Sequence, residues 1–302
     1  VYPPVDGSIF DWRGEFAKPE IPRVGSDDIV QRQTGAYLAT RLKPADDLAL
    51  ILGTRVSNFS GHDNLDYSDP QTADLRDSYH QSGVVTPYAG LVYDLDDTWS
   101  VYTSYTRIYQ PQMSKDANRQ LLDPVQGKSL EAGIKAEYFD GRLNASFALY
   151  RIEQDNIAEY VSGVDTESVY RAVQGATTKG FEFELAGELR EGCNLSAGYT
   201  YNHTRDAKAD YVYGSVLQTT APQQVVRVFS TYRLPGAWDR LTVGAGVNWQ
   251  SEFFGNVFRP DPADSVNFGQ DTTITQPGYA LVDAMARYRF NEHLSTTLNV
   301  KN

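Results

Sequence analysis

Hydrophobic and polar residues alternate one by one along the segment from Lys128 to Gln154. Such alternation predicts β-strands with one apolar and one polar face, because successive side chains of a strand point to opposite sides. Asp140-Gly141 interrupts the pattern and predicts a tight hairpin, since both central residues of a type I′ turn need a positive φ. Each apolar row is close to ten residues tall, the length of a tilted strand that crosses a bilayer. The rows contain Leu130, Ala132, Ile134, Ala136 and Tyr138 before the turn and Leu143, Ala145, Phe147 and Leu149 after it.

The same alternation recurs along the chain and predicts about twelve strands. Their expected bounds are 34–42, 48–59, 82–93, 99–109, 128–139, 142–154, 173–187, 194–204, 223–234, 241–253, 279–290 and 294–302. The residues before 34 carry four prolines and predict an irregular loop.

The connections between these strands alternate strictly between short and long. This sorting is typical of outer-membrane barrels, whereas a sandwich has no reason to place all its long loops on one side. We therefore expect an all-β protein, part of an antiparallel transmembrane β-barrel. The short connections are 44–47, 94–98, 140–141, 190–193, 235–240 and 291–293, and the long ones lie near 60–81, 110–127, 155–172, 205–222 and 254–278.

The alternation also predicts which side chains face lipid and which face the interior. Because the period is two, a register error of one residue would invert the whole set. We expect Leu130, Ile134, Phe147, Leu149, Val243 and Val247 to point outward and Glu131, Lys135, Asn144 and Asn248 to point inward.

Composition supports this interpretation without proving it. The net charge is −12 and the mean hydropathy −0.46, and no run of about 18 apolar residues could form a membrane helix. A barrel strand needs only one apolar face, so the absence of a long apolar run does not exclude membrane-spanning strands. The 20 Tyr, 13 Phe and 4 Trp are expected to gather at the two membrane interfaces. The acidic balance disfavours nucleic acid as a partner, and Cys193, the single cysteine, cannot form a disulfide within the chain.

The hairpin resembles a known family. The run from Gln126 to Lys135, followed by Asp140-Gly141-Arg142-Leu143-Asn144 and Tyr150, is similar to the mid-barrel hairpin of TonB-dependent ferric-siderophore receptors, nearest to the hydroxamate and pyoverdine receptor branch. This resemblance implies a monomeric receptor and active transporter in the outer membrane of a Gram-negative bacterium. Its partners would be a ferric siderophore, outer-membrane lipid and lipopolysaccharide, and TonB, which would act through an N-terminal region. Iron would arrive only inside its siderophore, so no cofactor is expected.

Strand direction predicts that the chain is one part of a barrel domain spanning residues 1–302. If the short turns are periplasmic, the first predicted strand descends and the last one ascends, which puts both ends outside. Single-chain barrels have an even strand number and normally keep both termini inside. We therefore expect further strands before residue 34 and after residue 302. The resemblance implies a 22-stranded barrel whose plug, early strands and last strand lie outside this chain.

Motifs for catalysis or metal binding are scarce. All four histidines fall in predicted loops or turns, and no pair has the spacing of metal ligands, so surface histidines are the better interpretation. Asp63, Asp66, Asp69 and Asp74 cluster in one predicted loop but lack the glycine and terminal glutamate of an EF-hand, which favours a solvated acidic loop over a Ca²⁺ site. We expect that the protein is not an enzyme.

Ligand-binding residues should lie at strand ends and in long loops. Aromatic rings, amides and a cation are the groups that pack against an iron chelate's organic scaffold and meet its polar atoms. On this basis the candidate siderophore-binding residues are Trp12, Tyr109, Gln112, Tyr160, Tyr213, Phe254, Phe258 and Arg259. Tyr109 lies four residues after Tyr105 and therefore on the same, apolar face of the strand. This position fits the aromatic girdle equally well.

Two other functions stay open at this point. A passive porin-type channel would have an open lumen and no upstream plug. A barrel enzyme, such as a surface protease or phospholipase, would need Asp, His or Ser groups converging at one rim, and the sequence shows no such group. The residues upstream of Val1 would discriminate transporter from porin.

Overall fold

The computed structural model describes residues 23–69, 74–164, 167–173, 176–205, 221–260 and 269–302. Within these residues no helix is long and apolar enough to cross a membrane. One antiparallel sheet of twelve strands contains most of them, in the order β1-β2-β3-β4-β5-β6-β9-β10-β11-β12-β15-β16. Its strands are Gly25–Ala45 (β1), Leu48–Tyr67 (β2), Leu75–Asp94 (β3), Trp99–Gln110 (β4), Val125–Tyr138 (β5), Leu143–Asp155 (β6), Ala176–Arg190 (β9), Cys193–Arg205 (β10), Gln224–Arg233 (β11), Leu241–Gln250 (β12), Tyr279–Arg289 (β15) and Ser295–Lys301 (β16).

The prediction of twelve consecutive antiparallel strands is confirmed. Each strand pairs with the next in the sheet, and the short connections all lie at one end. The predicted turn at Asp140-Gly141 is also confirmed, because both residues have positive φ, 54° and 83°. The amide of Arg142 donates to the carbonyl of Phe139 and closes this turn at 3.3 Å. The expectation that further strands precede and follow this stretch stays a prediction.

Four predicted loops are wrong in part, because they contain regular strands. In the first, the residues before 34, β1 already begins at Gly25. The 155–172 connection holds Ile157–Val164 (β7) paired with Glu167–Val173 (β8), and the 254–278 connection holds Phe253–Pro260 (β13) paired with Gly269–Gln276 (β14). The connection near 60–81 is shortened because β2 continues to Tyr67 and β3 begins at Leu75. Outside a bilayer neither face must be apolar, so these ladders form through backbone hydrogen bonds without the alternation that marks membrane strands.

The register assembles side chains into continuous rows across the sheet. One apolar row joins Val101, Ile134, Phe147, Phe183, Tyr199, Val226, Trp249 and Ala280. The row one residue away joins Ser100, Lys135, Ser146, Glu184, Gly198, Arg227, Asn248 and Leu281. The two predicted sets of residues therefore lie on opposite faces of the sheet, which we call the apolar face and the polar face.

The apolar face is covered by nothing within the described chain. Leu130 is 49% exposed and Leu149 54%, while Phe147 is 37%, Phe183 43% and Val247 40% exposed. Monomeric soluble proteins rarely present a contiguous apolar surface of this extent. A sheet with this face is suited to contact lipid.

Aromatic rings on the apolar face gather at two heights, as the sequence predicts. Near the short turns Trp99 packs edge-on against Tyr138 with ring centroids 5.9 Å apart, and Tyr288 contacts Phe290 at 5.0 Å. Towards the long loops Phe181 packs between Tyr199 and Tyr201, at 5.6 and 5.5 Å. Rings at these two levels match the two girdles of a membrane strand.

On the polar face, aromatic rings cover glycines of the neighbouring strand. A Cβ added to Gly133 would lie 2.6 Å from the Tyr102 ring, and one added to Gly246 would lie 2.6 Å from the Phe229 ring. Only a residue without a side chain lets the ring lie flat against the adjacent backbone. The glycines therefore let large rings fit on the interior wall.

The far ends of β1, β2 and β3 belong to a compact unit of their own, within residues 1–35 and 57–84. Here the amide of Ser68 donates to the carbonyl of Val24 at 2.9 Å, and the amide of Gly83 donates to Oδ1 of Asn58 at 2.9 Å. Residues 36–56 and 85–302 form the second unit.

Candidate functional site

The end of the sheet with long connections carries two additional hairpins, β7–β8 and β13–β14. In the first, Glu159 pairs with Arg171 and Tyr160 with Tyr170. In the second, Phe254 pairs with Thr275 and Phe258 with Asp271. Loops held by such ladders have a defined conformation, so they are able to present side chains to a ligand at fixed positions.

The connection between β4 and β5 packs against the β7–β8 hairpin. The side-chain amide of Gln112 donates to the carbonyl of Asp123 within its own loop and, at 2.7 Å, to the carbonyl of Asn156. In return the amide of Asn156 donates to the carbonyl of Pro124 at 3.2 Å. The backbone amide of Tyr170 donates to the carbonyl of Lys115 at 2.8 Å. We call this assembly, residues 111–124 together with β7–β8, the loop pair.

Asn156 makes the loop pair possible through its backbone. Its φ is 63°, in the left-handed region that asparagine tolerates better than most residues. This conformation lies between the end of β6 at Asp155 and the start of β7 at Ile157. The chain thus leaves the main sheet at Asn156 and starts the separate hairpin.

An ion pair between a buried glutamate and a half-exposed arginine stabilises the hairpin of the loop pair. The Arg171 guanidinium donates through Nε to Oε2 of Glu159 at 2.5 Å, and the Glu159 residue is only 3% exposed. The other carboxylate oxygen, Oε1, is buried with no hydrogen-bond partner in the described part of the chain. Because a buried charge is costly unless it is paired, Arg171 is what allows a carboxylate at this place.

The predicted ligand-binding residues fall into several groups. Gln112 uses its amide to hold the loop pair together. Tyr109 is half-buried, pairs with Gln126 and lies on the apolar face. Phe254, on β13, is 46% exposed. The backbones of Tyr160, Phe258 and Arg259 lie in the hairpin strands, and Trp12 and Tyr213 lie outside the described residues.

The structure brings together Gln112 and the hairpin that carries Tyr160. The candidate set as a whole therefore stays a prediction. Sequence reasoning missed Asn156, Glu159 and Arg171, which build the loop pair. A usable signal exists for the hairpin, since Gly163 lies between segments rich in β-branched and aromatic residues at 157–161 and 169–173.

The polar face carries charged groups that contact one another across strands. The hydroxyl of Tyr102 donates to Oε1 of Glu131 at 2.5 Å, and the ammonium of Lys135 lies 4.7 Å from the centre of the Tyr102 ring. Further along the sheet, the amide of Asn248 donates to Asp283 at 3.1 Å. A cavity of about 820 Å³ opens on this face at the short-turn end and is lined by Lys135 and Glu184 among others. Such a wall is suited to a hydrated interior.

The predicted acidic cluster is divided among different partners. Arg76 forms ion pairs with Asp66 and, at 3.3 Å, with Asp74. Asp63 faces Asp27 instead, and partial burial together with a hydrogen bond to that carboxyl raises the pKa of Asp63. Among the described residues, no three His, Cys, Asp or Glu side chains are grouped so that they could hold a metal ion.

Comparison with known proteins places these features in context. Residues 5–302 match the family described as TonB dependent receptor-like, beta-barrel. The chain is 41% identical to the ferric-pyoverdine 358 receptor of Pseudomonas putida over 99% of its own length and 35% of that protein. The ferripyoverdine receptor of the Pseudomonas aeruginosa outer membrane, solved bound to ferripyoverdine, is 36% identical with a TM-score of 0.79, over 97% of this chain and 37% of that one. The alcaligin outer membrane receptor FauA of Bordetella pertussis is 38% identical with a TM-score of 0.69, over 91% and 43%.

This chain spans about a third of the length of the curated relatives it matches. The match nevertheless covers nearly all of the chain, strands and long loops alike. The twelve-stranded antiparallel sheet, its two-faced rows and its alternating connections are those of a barrel wall. The chain belongs to the TonB-dependent receptor-like β-barrel family.

Proposed function

We propose that this chain forms part of the barrel wall and outer loops of a receptor that takes up a ferric siderophore across the outer membrane, with energy supplied through TonB. The observation that carries the proposal is the 41% identity to a ferric-pyoverdine receptor over 99% of the chain, which includes the long connections. The aligned region includes the loops, which are the segments that carry ligand-binding residues, and this supports a related class of ligand.

The architecture supports a transporter through its two faces. The apolar face meets lipid, while the polar face supplies a hydrated wall on which Tyr102 contacts both Glu131 and Lys135. Iron enters as the ferric siderophore, which is the ligand and not a resident cofactor. The receptor works as a monomer, surrounded by outer-membrane lipid and lipopolysaccharide.

The siderophore is bound by the outer ends of strands and by the loops. The candidate contacts are those predicted from the sequence, and Phe254 is the first to test because its ring is exposed on an ordered hairpin. Gln112 contributes indirectly, because it joins the two segments of the loop pair. A large exposed ring is the type of residue that anchors a ligand's organic scaffold.

Uptake measurements test the proposal. The full-length receptor containing this chain is expressed in a strain that lacks its own siderophore receptors, and cells are given radiolabelled iron as ferric pyoverdine or as ferric hydroxamates. We expect saturable uptake that stops when TonB is deleted or the proton gradient is dissipated. Uptake that persists without TonB and does not saturate would instead indicate a passive channel, and no uptake of any ferric siderophore would contradict the proposed ligand class.

A further inference from the structure

Arg171 on β8 is a half-exposed cation that is held by a buried carboxylate. Its side chain is 47% exposed, whereas Glu159, its direct partner on β7, is buried. The bond between them runs from Nε of the guanidinium to Oε2 of the carboxylate at 2.5 Å. The guanidinium is therefore fixed through its inner nitrogen, while the two terminal nitrogens lie beyond it at the end of the side chain.

This contact is not the two-bond fork that a carboxylate commonly forms with arginine. In the fork, both carboxylate oxygens accept hydrogen bonds from the guanidinium. Here Oε1 of Glu159 is buried and has no hydrogen-bond partner within the described residues, so the carboxylate uses one oxygen only. Glu159 thus orients the guanidinium through Nε and leaves the terminal nitrogens outside the pair.

Stability alone does not account for this arrangement. A half-exposed ion pair contributes little to stability, and burying a carboxylate is costly even when it is paired. The hairpin has its own backbone ladder, and contacts of Gln112, Asn156 and Tyr170 tie it to residues 111–124. Two apolar side chains in place of the pair would stabilise the hairpin at least as well. What the buried carboxylate adds is a fixed direction for the guanidinium.

The position of Arg171 suits contact with a ligand from outside the membrane. β6 ends at Asp155 and β9 begins at Ala176, both at the end of the sheet with long connections, and the hairpin lies between them in the chain. Because Gln112 joins the hairpin to the neighbouring loop, the guanidinium is presented by an ordered support. A donor that is oriented before binding loses little conformational entropy when the ligand arrives.

We propose that Arg171 is a specificity-determining residue of the receptor, held in position by Glu159, and that its terminal nitrogens donate to surface oxygens of the ferric siderophore. This inference rests on the proposed function, which supplies the class of ligand. The planar guanidinium matches two neighbouring oxygens, such as those of a hydroxamate or a carboxylate on the chelate. Since the pair with Glu159 has no net formal charge, recognition depends on where these oxygens lie and not on the overall charge of the chelate.

The first test uses the unmodified full-length receptor in detergent, with ferric pyoverdine as the probe. Phenylglyoxal, a reagent for arginine, is added with and without the probe, and mass spectrometry of the peptides measures the modification at each arginine. We expect Arg171 to react in the absence of the probe and to lose this reactivity in proportion to the fraction of receptor that has bound it. Arg119, exposed in the neighbouring loop, is the internal control and should react equally in both samples.

The second test measures the affinity of variants for ferric pyoverdine at fixed ionic strength. Arg171→Gln should bind about tenfold to a hundredfold more weakly, because a hydrogen bond from a charged donor is lost. Arg171→Lys should lose nearly as much, because lysine keeps the charge but not the planar fork. Arg119→Gln removes the same charge from the loop pair and should bind as the wild type does.

The role of Glu159 is tested by combining substitutions. Glu159→Gln should weaken binding when Arg171 is present and have no further effect in the Arg171→Gln background, since a positioning residue acts through the residue it positions. An equal loss in both backgrounds would show that Glu159 only supports the hairpin and would overturn its assigned role.

Equal modification of Arg171 with and without bound probe would overturn the proposal, as would wild-type affinity of Arg171→Gln or an equal loss in Arg119→Gln. The modification experiment needs no variant, so it decides the question even if a substitution loosens the hairpin. Failure of the proposed function looks different, because the wild-type receptor would then bind no ferric pyoverdine at all, and this inference would fall with it.

Discussion

Substitution of Gly133 by alanine tests whether rings on the polar face need the glycines beneath them. A Cβ at this position would lie 2.5 Å from the carbonyl oxygen of Phe147 and 2.6 Å from the ring of Tyr102. The first neighbour is backbone of the adjacent strand and cannot move alone. The second is a ring whose hydroxyl donates to Glu131 at 2.5 Å, so its displacement also weakens that hydrogen bond.

Gly198 provides a matched control on the same face. A Cβ there would meet only the carbonyl oxygen of Phe183, at 3.9 Å, which is an ordinary contact. Alanine at this position should be neutral or stabilise the strand by about 0.5–1 kcal/mol, because glycine loses more backbone entropy on folding. Overpacking at Gly133 costs about 1–3 kcal/mol. We therefore expect the two variants to differ by about 1–4 kcal/mol, with Gly133→Ala the less stable.

The assay is denaturant unfolding of the full-length receptor in lipid vesicles, with the midpoint and the slope compared among variants. Adding Tyr102→Ala to each background separates the contribution of the ring from that of the carbonyl. If the ring matters, the double variant recovers part of the loss. Equal midpoints for Gly133→Ala and Gly198→Ala would refute the close packing of Tyr102 over Gly133.

Three further predictions concern the outer segments. Asp63 has a raised pKa because of burial and its contact with Asp27, so the local stability of the strand ends should be highest below the usual value of 3.8 and should fall as pH rises above it. Asp63→Asn should remove that loss, and amide protection factors from hydrogen exchange at about pH 3 and about pH 7 measure it. Gln112→Ala should raise the exchange rate of both segments of the loop pair, whereas Gln120→Ala, exposed in the same loop, should not. Phe254→Ala should weaken ferric-siderophore binding by about 1–3 kcal/mol at fixed ionic strength if the ring is an anchor, and wild-type affinity would remove it from the site.

The sequence by itself determined the membrane part of this protein. Lipid forces one face of every spanning strand to be apolar, so the period of two between Lys128 and Gln154 is visible without any structure. The turn at Asp140-Gly141 could also be predicted from the sequence, because a positive φ restricts the residues that occur there. The number and order of the strands in the main sheet, and the division of their side chains between two faces, followed from these local rules, and the register confirms them.

Only the tertiary structure decided what the strands and loops bring together. The loop pair depends on side-chain amides of Gln112 and Asn156 meeting carbonyls 44 and 32 residues away, and no local pattern encodes such pairs. The register likewise brings Arg107, Lys128 and Lys179, from three strands, onto one side of the sheet. Outside the bilayer water satisfies either face of a strand, so the hydrophobic pattern disappears and contacts distant in sequence determine the structure.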